Sequence, residues 1–222
     1  MTARFRNRAH AGRVLAETLT RYADRGDTVV LALARGGVPV GFEVAVALGA
    51  PLDVFLVRKL GVPGHEELAM GAIASGGVRV IDAETVAALG IVPETIDAVA
   101  AAEQRELERR ERLYRGGRAA LRIAGRTVLL VDDGLATGAS MHAAAIAVRR
   151  QHLRQLIAAV PTGAADACRQ LADAVDCVVC ATTPQPFFAV GLWYDDFAQT
   201  ADEQVRDLLD RAALQREMAQ WT

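Results

Sequence analysis

Five short aliphatic runs, at residues 29–33, 52–57, 128–131, 155–160 and 176–180, constrain this chain more than any other feature. Successive side chains of a strand point to opposite faces, so a run that is apolar throughout needs cover on both sides. Residues 38–48, 141–151 and 164–174 lie between these runs, are rich in alanine and are periodic enough for crossover helices. Repetition of strand, helix and strand predicts an α/β fold: a doubly wound, mainly parallel central sheet with helices on both faces. In such folds ligands bind beyond the carboxyl ends of the strands, where the strand order reverses.

The remaining chain adds helices at residues 10–22 and 202–219, the latter with Val205, Leu208, Leu209 and Ala212 on one face. With 222 residues, 52% hydrophobic and 23% charged, one domain over 1–222 accounts for the whole length. It carries a charged helical insertion at about 82–122 and a C-terminal hood and helix at about 184–222. In the insertion, Glu106–Arg110, Glu108–Arg112 and Glu111–Arg115 are spaced i,i+4. That pattern predicts a solvated helix, with a lid or a subunit contact as its other uses.

Bulk properties exclude several function classes. A formal net charge of −2 provides no general field for nucleic acid, and there is no basic stripe. The basic opening MTARFRNRAHAGR is not followed by an apolar stretch of the signal-peptide kind, and no apolar run reaches the length of a membrane span. The expectation is therefore no nucleic acid, no membrane and a cytoplasmic location. Three cysteines, Cys168, Cys177 and Cys180, fit a reducing compartment better than a disulfide framework. Cys177 and Cys180 have C-x-x-C spacing, but in a strand they point to opposite faces and no second pair completes a zinc site, so they read as buried structural residues.

The most informative string is VLLVDDGLATGAS at residues 128–140. A parallel strand ending here delivers Asp132 and Asp133 at its carboxyl edge, and Gly134 permits a tight turn. Ala136, Thr137, Gly138, Ala139 and Ser140 are small, so their amides can approach an anion at the N-terminus of the following helix. The loop lacks the lysine of a Walker A motif and the spacing of a G-x-G-x-x-G turn. A phosphate in the loop with two sugar hydroxyls on the carboxylates describes a ribose 5-phosphate group, while a plain capped βα turn is the alternative.

This string resembles the PRPP-binding signature of type I phosphoribosyltransferases. The resemblance implies that Asp132 and Asp133 contact the ribose hydroxyls of PRPP, and that Gly134, Leu135, Ala136, Thr137, Gly138, Ala139 and Ser140 hold its 5-phosphate. Arg35, Gly36 and Gly37, after the first strand, look like the family's pyrophosphate loop, in which a cis non-proline peptide is sometimes found. Such a bond would fall between Arg35 and Gly36 or one bond earlier. Arg58 and Lys59, placed at the end of the next strand, match basic residues that neutralise the leaving pyrophosphate. Residues 187–197 loosely resemble the late segment of the purine-salvage branch, with Phe188 and Trp193 toward the base and Asp195 toward metal. A mobile cover is expected either in the glycine-rich segment 61–77 or in the charged insertion.

The resemblance further implies Mg2+ on the pyrophosphate, with Asp132, Asp133 and Asp195 as its candidate protein ligands, a small nitrogenous acceptor, which in the purine-salvage branch is a purine, and a homodimer. The displacement at C1 needs no covalent nucleophile; Arg35, Arg58 and Lys59 are the candidates for stabilising leaving-group charge. Two rival readings are a PRPP-binding sensor without transferase activity and an α/β protein that binds another phosphorylated sugar.

Overall fold

The computed structural model describes residues 4–219, so the outermost three residues at each end of the expected 1–222 domain lie outside the described residues. Five parallel strands, β1 (Thr28–Leu33), β2 (Leu52–Phe55), β6 (Thr127–Val131), β7 (Gln155–Thr162) and β8 (Cys177–Thr182), form the central sheet in the order β2-β1-β6-β7-β8. The chain leaves β1 toward β2 and returns on the other side to β6, so the strand order reverses between β1 and β6. The expected doubly wound sheet is therefore present.

The alternation along each strand decides which layer it meets. Val29, Leu31, Val128, Leu130, Leu156 and Ala158 pack with Met141, Ala144 and Val148 of α5 (Ala139–Arg149) and with Leu171 of α6 (Ala165–Leu171). Their neighbours Val30, Leu129, Val131, Ile157 and Ala159 face α1 (Arg8–Thr18) and α2 (Gly37–Leu48), meeting Leu15, Val40 and Val44. One sheet thus feeds two cores, as its two-faced apolar runs require. The first helix ends sooner than residues 10–22 suggested. Leu19 is its C-cap, and a 3-10 turn at Thr20–Tyr22 completes the segment.

Two expectations change between residues 52 and 122. The run 52–57 is not one strand: β2 stops at Phe55, and β3 (Val57–Val62) opens an antiparallel sheet with β4 (His65–Ala74) and β5 (Val78–Ile81). Leu56 is the corner, its amide donating to Ser75 Oγ at 3.0 Å while the Ser75 amide donates to Leu56 O at 2.9 Å. The glycine-rich segment 61–77 is therefore mostly paired strand, with the exposed His65, Glu66 and Glu67 beside the hairpin turn.

The charged insertion contains α3 (Ala83–Leu89) and α4 (Pro93–Arg115). Pro93 at the first turn and a left-handed Gly116 cap bound α4, as sequence chemistry predicts. It is not simply solvated: Ala100, Leu107 and Tyr114 make a buried seam at seven-residue spacing. This seam packs with Leu60 and Met70 of the small sheet and Val205 and Leu208 of α7 (Asp202–Ala219). The expected Glu106–Arg110 and Glu108–Arg112 pairs flank this seam on the more exposed sides, while the expected Glu111–Arg115 pair lies mostly buried beside it. At its end, Arg115 ties α4 to β2 through Asp53 at 2.9 Å and Val54 O at 3.0 Å.

The cysteines also depart from expectation. Strand β8 is a sheet edge, so Cys177 and Cys180 are half-buried rather than buried. Cys180 shares a hydrogen bond with Cys168, which pulls the Cys168 thiol down to about 7 and pushes Cys180 up.

If the α4 seam holds the insertion to the domain, Leu107→Ala should destabilise the protein by about 2–4 kcal/mol through lost burial and a cavity. Glu108→Ala on the outer face should change stability by no more than about 0.5 kcal/mol. Urea unfolding of both variants measures the difference.

Candidate functional site

Two loops meet at the reversal point. The first, Ala34–Gly36, leaves β1 and enters α2; its Ala34–Arg35 peptide is cis, the earlier of the two bonds anticipated. The second runs from Asp132 to Gly138, leaves β6 and enters α5. They touch through glycine. A Cβ on Gly36 would lie 2.2 Å from Asp133 Oδ2, and one on Gly37 would lie 2.7 Å from Val131 O and 3.0 Å from Asp132 Oδ1. No larger residue fits at either position without moving the acid pair.

The second loop is pinned at its middle. The Leu135 amide donates to Thr162 O at 3.0 Å, the Ala164 amide donates to Leu135 O at 2.8 Å, and the Leu135 side chain is buried. Leu135 therefore anchors the loop through both its main chain and its side chain. Ala136, Thr137, Ala139 and Ser140 are exposed, and Gly138, at φ 79°, turns the chain into α5. Small exposed residues before a helix N-terminus form a cradle suited to an anion.

The carboxylates are held differently. Asp132 Oδ1 accepts from the Asp133 amide at 2.8 Å. Asp133 Oδ2 accepts from Arg8 Nε at 2.7 Å, and Tyr194 Oη donates to the Asp133 carbonyl. Each acid thus has one oxygen engaged by the protein and another available to a partner. Burial pushes the Asp132 carboxyl well above the usual carboxylate range, and the neighbouring Asp133 adds to the rise. Burial raises Asp133 too, with Arg8 opposing it. The Tyr194 hydroxyl is likewise pushed up, by burial first and by Asp133 next.

A phosphoribosyl transferase domain family matches residues 4–196, which is most of the chain. The chain belongs to the phosphoribosyl transferase family. Two Mycobacterium tuberculosis proteins, from strains CDC 1551 / Oshkosh and H37Rv, are named provisionally as phosphoribosyl transferases. Each is 46% identical over 208 residues, covering 94% of this chain and 47% of that protein. The chain thus spans about half the length of these curated relatives. Among solved structures, the protein TT1426 from Thermus thermophilus is 42% identical with a TM-score of 0.80, covering 93% of this chain and 97% of that one.

Within this phosphoribosyl transferase domain, the remaining candidates are less concentrated than their sequence positions suggested. The Arg35 guanidinium turns toward α7, 3.4 Å from Asp202 Oδ1, an atom that also accepts from Tyr114 Oη at 2.6 Å. The Tyr114 hydroxyl is pushed up to about 12 by burial and by this acid, while Asp202 is pulled down by Tyr114 and Arg35. Arg58 and Lys59 lie within β3, not at the carboxyl end of a parallel strand, because the chain changes sheets at Leu56. Arg58 is paired with Glu103 of α4, and Lys59 Nζ donates to Glu67 O at 3.1 Å. Phe188 is 78% exposed, and Trp193 stacks on Phe187 at 6.2 Å, so Phe188 and Trp193 do not form a ready sandwich. Asp195 is exposed, its amide donating to Phe5 O at 2.8 Å. Among the described residues, no three His, Cys, Asp or Glu side chains converge as a metal cage, so Asp132, Asp133 and Asp195 do not make one by themselves.

Sequence reading missed Arg8 and Asp202. Both depend on partners far away in the chain, and Arg8 stood among other arginines in a stretch read only for its charge.

Folding raises the Asp132 pKa, so the folded state disfavours its carboxylate. Its contribution to stability is therefore lost as pH rises from the usual carboxylate value of ~4 through the raised one. Asp132→Asn keeps an acceptor for the Asp133 amide and removes the charge. It should raise Tm at neutral pH by roughly 2–4 °C for each kcal/mol relieved. The gain should shrink toward pH 4, which melting curves across pH would record.

Proposed function

We propose that this domain transfers the ribose 5-phosphate group of PRPP to a small nitrogenous base with release of pyrophosphate. The observation that carries the reading is the order of three features across the reversal point. A small-residue cradle at 134–140 lies beside two carboxylates, and these lie against the glycine loop that enters α2. PRPP has the same order of groups: a 5-phosphate, a sugar with two hydroxyls, and a pyrophosphate on C1. The hydroxyls would donate to the available oxygens of Asp132 and Asp133. The 5-phosphate would take amides between Gly134 and Ser140, with the Thr137 and Ser140 hydroxyls beside them.

Mg2+ fits the donor chemistry, since carboxylate oxygens are hard ligands and this ion keeps much of its coordination for phosphate and water. The ion would arrive on the pyrophosphate, with the exposed Asp195 as the first protein ligand and the acid pair, Asp132 and Asp133, reaching it through the ribose hydroxyls. When bound, it supplies positive charge to the leaving group. Gly36, Gly37 and their flanking amides would position that group, and Arg35 would reach it by exchanging its Asp202 contact. The acceptor is placed on the side of residues 187–195, where Phe187 and Trp193 offer a stacked aromatic face; a purine is the first candidate. We also place the active form in the cytoplasm as a homodimer. The exposed Leu68, Ile81, Leu89 and Val92 around the small sheet are the candidate contact.

One observation favours the second reading, a PRPP sensor. Arg35, Arg58 and Lys59 are each already beside a carboxylate, so none is a free cation waiting for a leaving group. Pyrophosphate release from PRPP and Mg2+, measured across purines, pyrimidines and related acceptors, separates the two. Release with at least one acceptor is expected; tight PRPP binding with no release would establish the sensor. Asp132→Asn combined with Asp133→Asn should weaken PRPP binding by about 100-fold, as two charge-assisted hydrogen bonds are lost. Unchanged affinity in calorimetry would remove the acids from the ribose site.

A further inference from the structure

Arg8 is nearly enclosed, and each of its contacts belongs to the proposed sugar site or to the segment that covers it. Its Nε donates to Asp133 Oδ2 at 2.7 Å and its Nη1 donates to the Ala198 carbonyl at 2.6 Å. The guanidinium carbon lies 3.9 Å from the centre of the Phe197 ring. The side chains of Arg8 and Asp133 are only 12% and 15% exposed. The backbone that presents Arg8 is also fixed. Asn7 caps α1 by accepting the His10 amide at 2.9 Å, and Phe5 bridges Tyr194 in parallel register, with their rings 5.5 Å apart. Tyr194 in turn donates to the Asp133 carbonyl. Asp133 is thus gripped at both its side chain and its main chain by residues that meet only because the N-terminal arm docks on segment 194–198.

We propose that Arg8 is the positioning residue of the sugar site: it occupies Oδ2 of Asp133 and thereby fixes Oδ1 as the oxygen that accepts a ribose hydroxyl. This rests on the PRPP reading above and adds to it the residue that decides how one acid is aimed. The geometry leaves little freedom. Gly36 packs against the Oδ2 side, where even a Cβ would come within 2.2 Å, so only a glycine there leaves room for the carboxylate in this pose. The Asp132 oxygen taken by the Asp133 amide makes the matching restriction on the other acid. Two fixed acceptors, one from each carboxylate, suit two adjacent hydroxyls. A planar guanidinium stacked on Phe197 is better suited to hold such an aim than a flexible ammonium. Without it, the buried Asp133 carboxylate stands beside Asp132 with no cation, and its orientation is no longer determined.

The discriminating test is recognition of individual hydroxyls, because a merely structural loss would weaken all ligands alike. Calorimetry with ribose 5-phosphate, 2-deoxyribose 5-phosphate and 3-deoxyribose 5-phosphate gives the penalty for removing each hydroxyl. In the wild type, loss of the hydroxyl accepted by Asp133 should cost about 10- to 100-fold in affinity. In Arg8→Met that penalty should fall to about threefold or less, while the penalty for the other hydroxyl persists; Arg8→Lys should lie between. Full retention of both penalties in Arg8→Met overturns the proposal. If Arg8→Met does not give a cooperative melt, Arg8→Lys decides: a penalty unchanged from the wild type overturns it, and a reduced one upholds it. Absence of ribose 5-phosphate binding already in the wild type is a different result, which sinks the PRPP reading itself and this inference with it.

Discussion

The site depends on one close approach, that of the loop leaving β1 to the acid pair leaving β6. Gly36 and Gly37 allow it by presenting no Cβ to Asp133 and Asp132. Because β1 and β6 are neighbours with parallel register from Thr28↔Thr127 to Ala32↔Val131, their carboxyl ends emerge side by side. Both following helices then aim their N-termini at the same space. The acids lie directly against the loop that enters α2 and at the start of the loop that enters α5.

Holding two carboxylates there costs stability, since burial raises both pKa values and the neighbouring Asp133 raises that of Asp132 further. Arg8 offsets part of this cost, and its placement explains why the N-terminal arm and segment 194–198 close together over the sheet end. Further from the centre, α4 and α7 perform a second task. Their shared contact, Tyr114 on Asp202 with Arg35 alongside, connects the charged insertion to the first loop. The insertion is therefore a buttress as well as a surface, and its buried seam is what allows it to act as one.

How much of this could be read from sequence follows from how local each signal is. The parallel strands were legible because a two-faced apolar run has few other uses, and the loop at 132–140 because its small residues and glycines favour a turn between strand and helix. The strand at residues 57–62 was not separable from β2, since Leu56 carries no turn residue and the corner is made by a hydrogen-bonded partner, Ser75, nineteen positions on. The strand at 65–74 was hidden by glycines and by exposed charges at its start. In α4, three buried residues spaced by seven were outnumbered by arginines and glutamates. Arg8 left no local trace at all, because its partner Asp133 lies 125 positions away.

The central claim, that the acid pair faces the sugar while the two flanking loops take its phosphates, is most directly tested by a crystal structure with PRPP and Mg2+. We predict the 5-phosphate within the loop at 134–140, one ribose hydroxyl on each of Asp132 and Asp133, and the pyrophosphate against Gly36 and Gly37. A ribose turned away from both acids, or a 5-phosphate seated on the α2 loop instead, would contradict it.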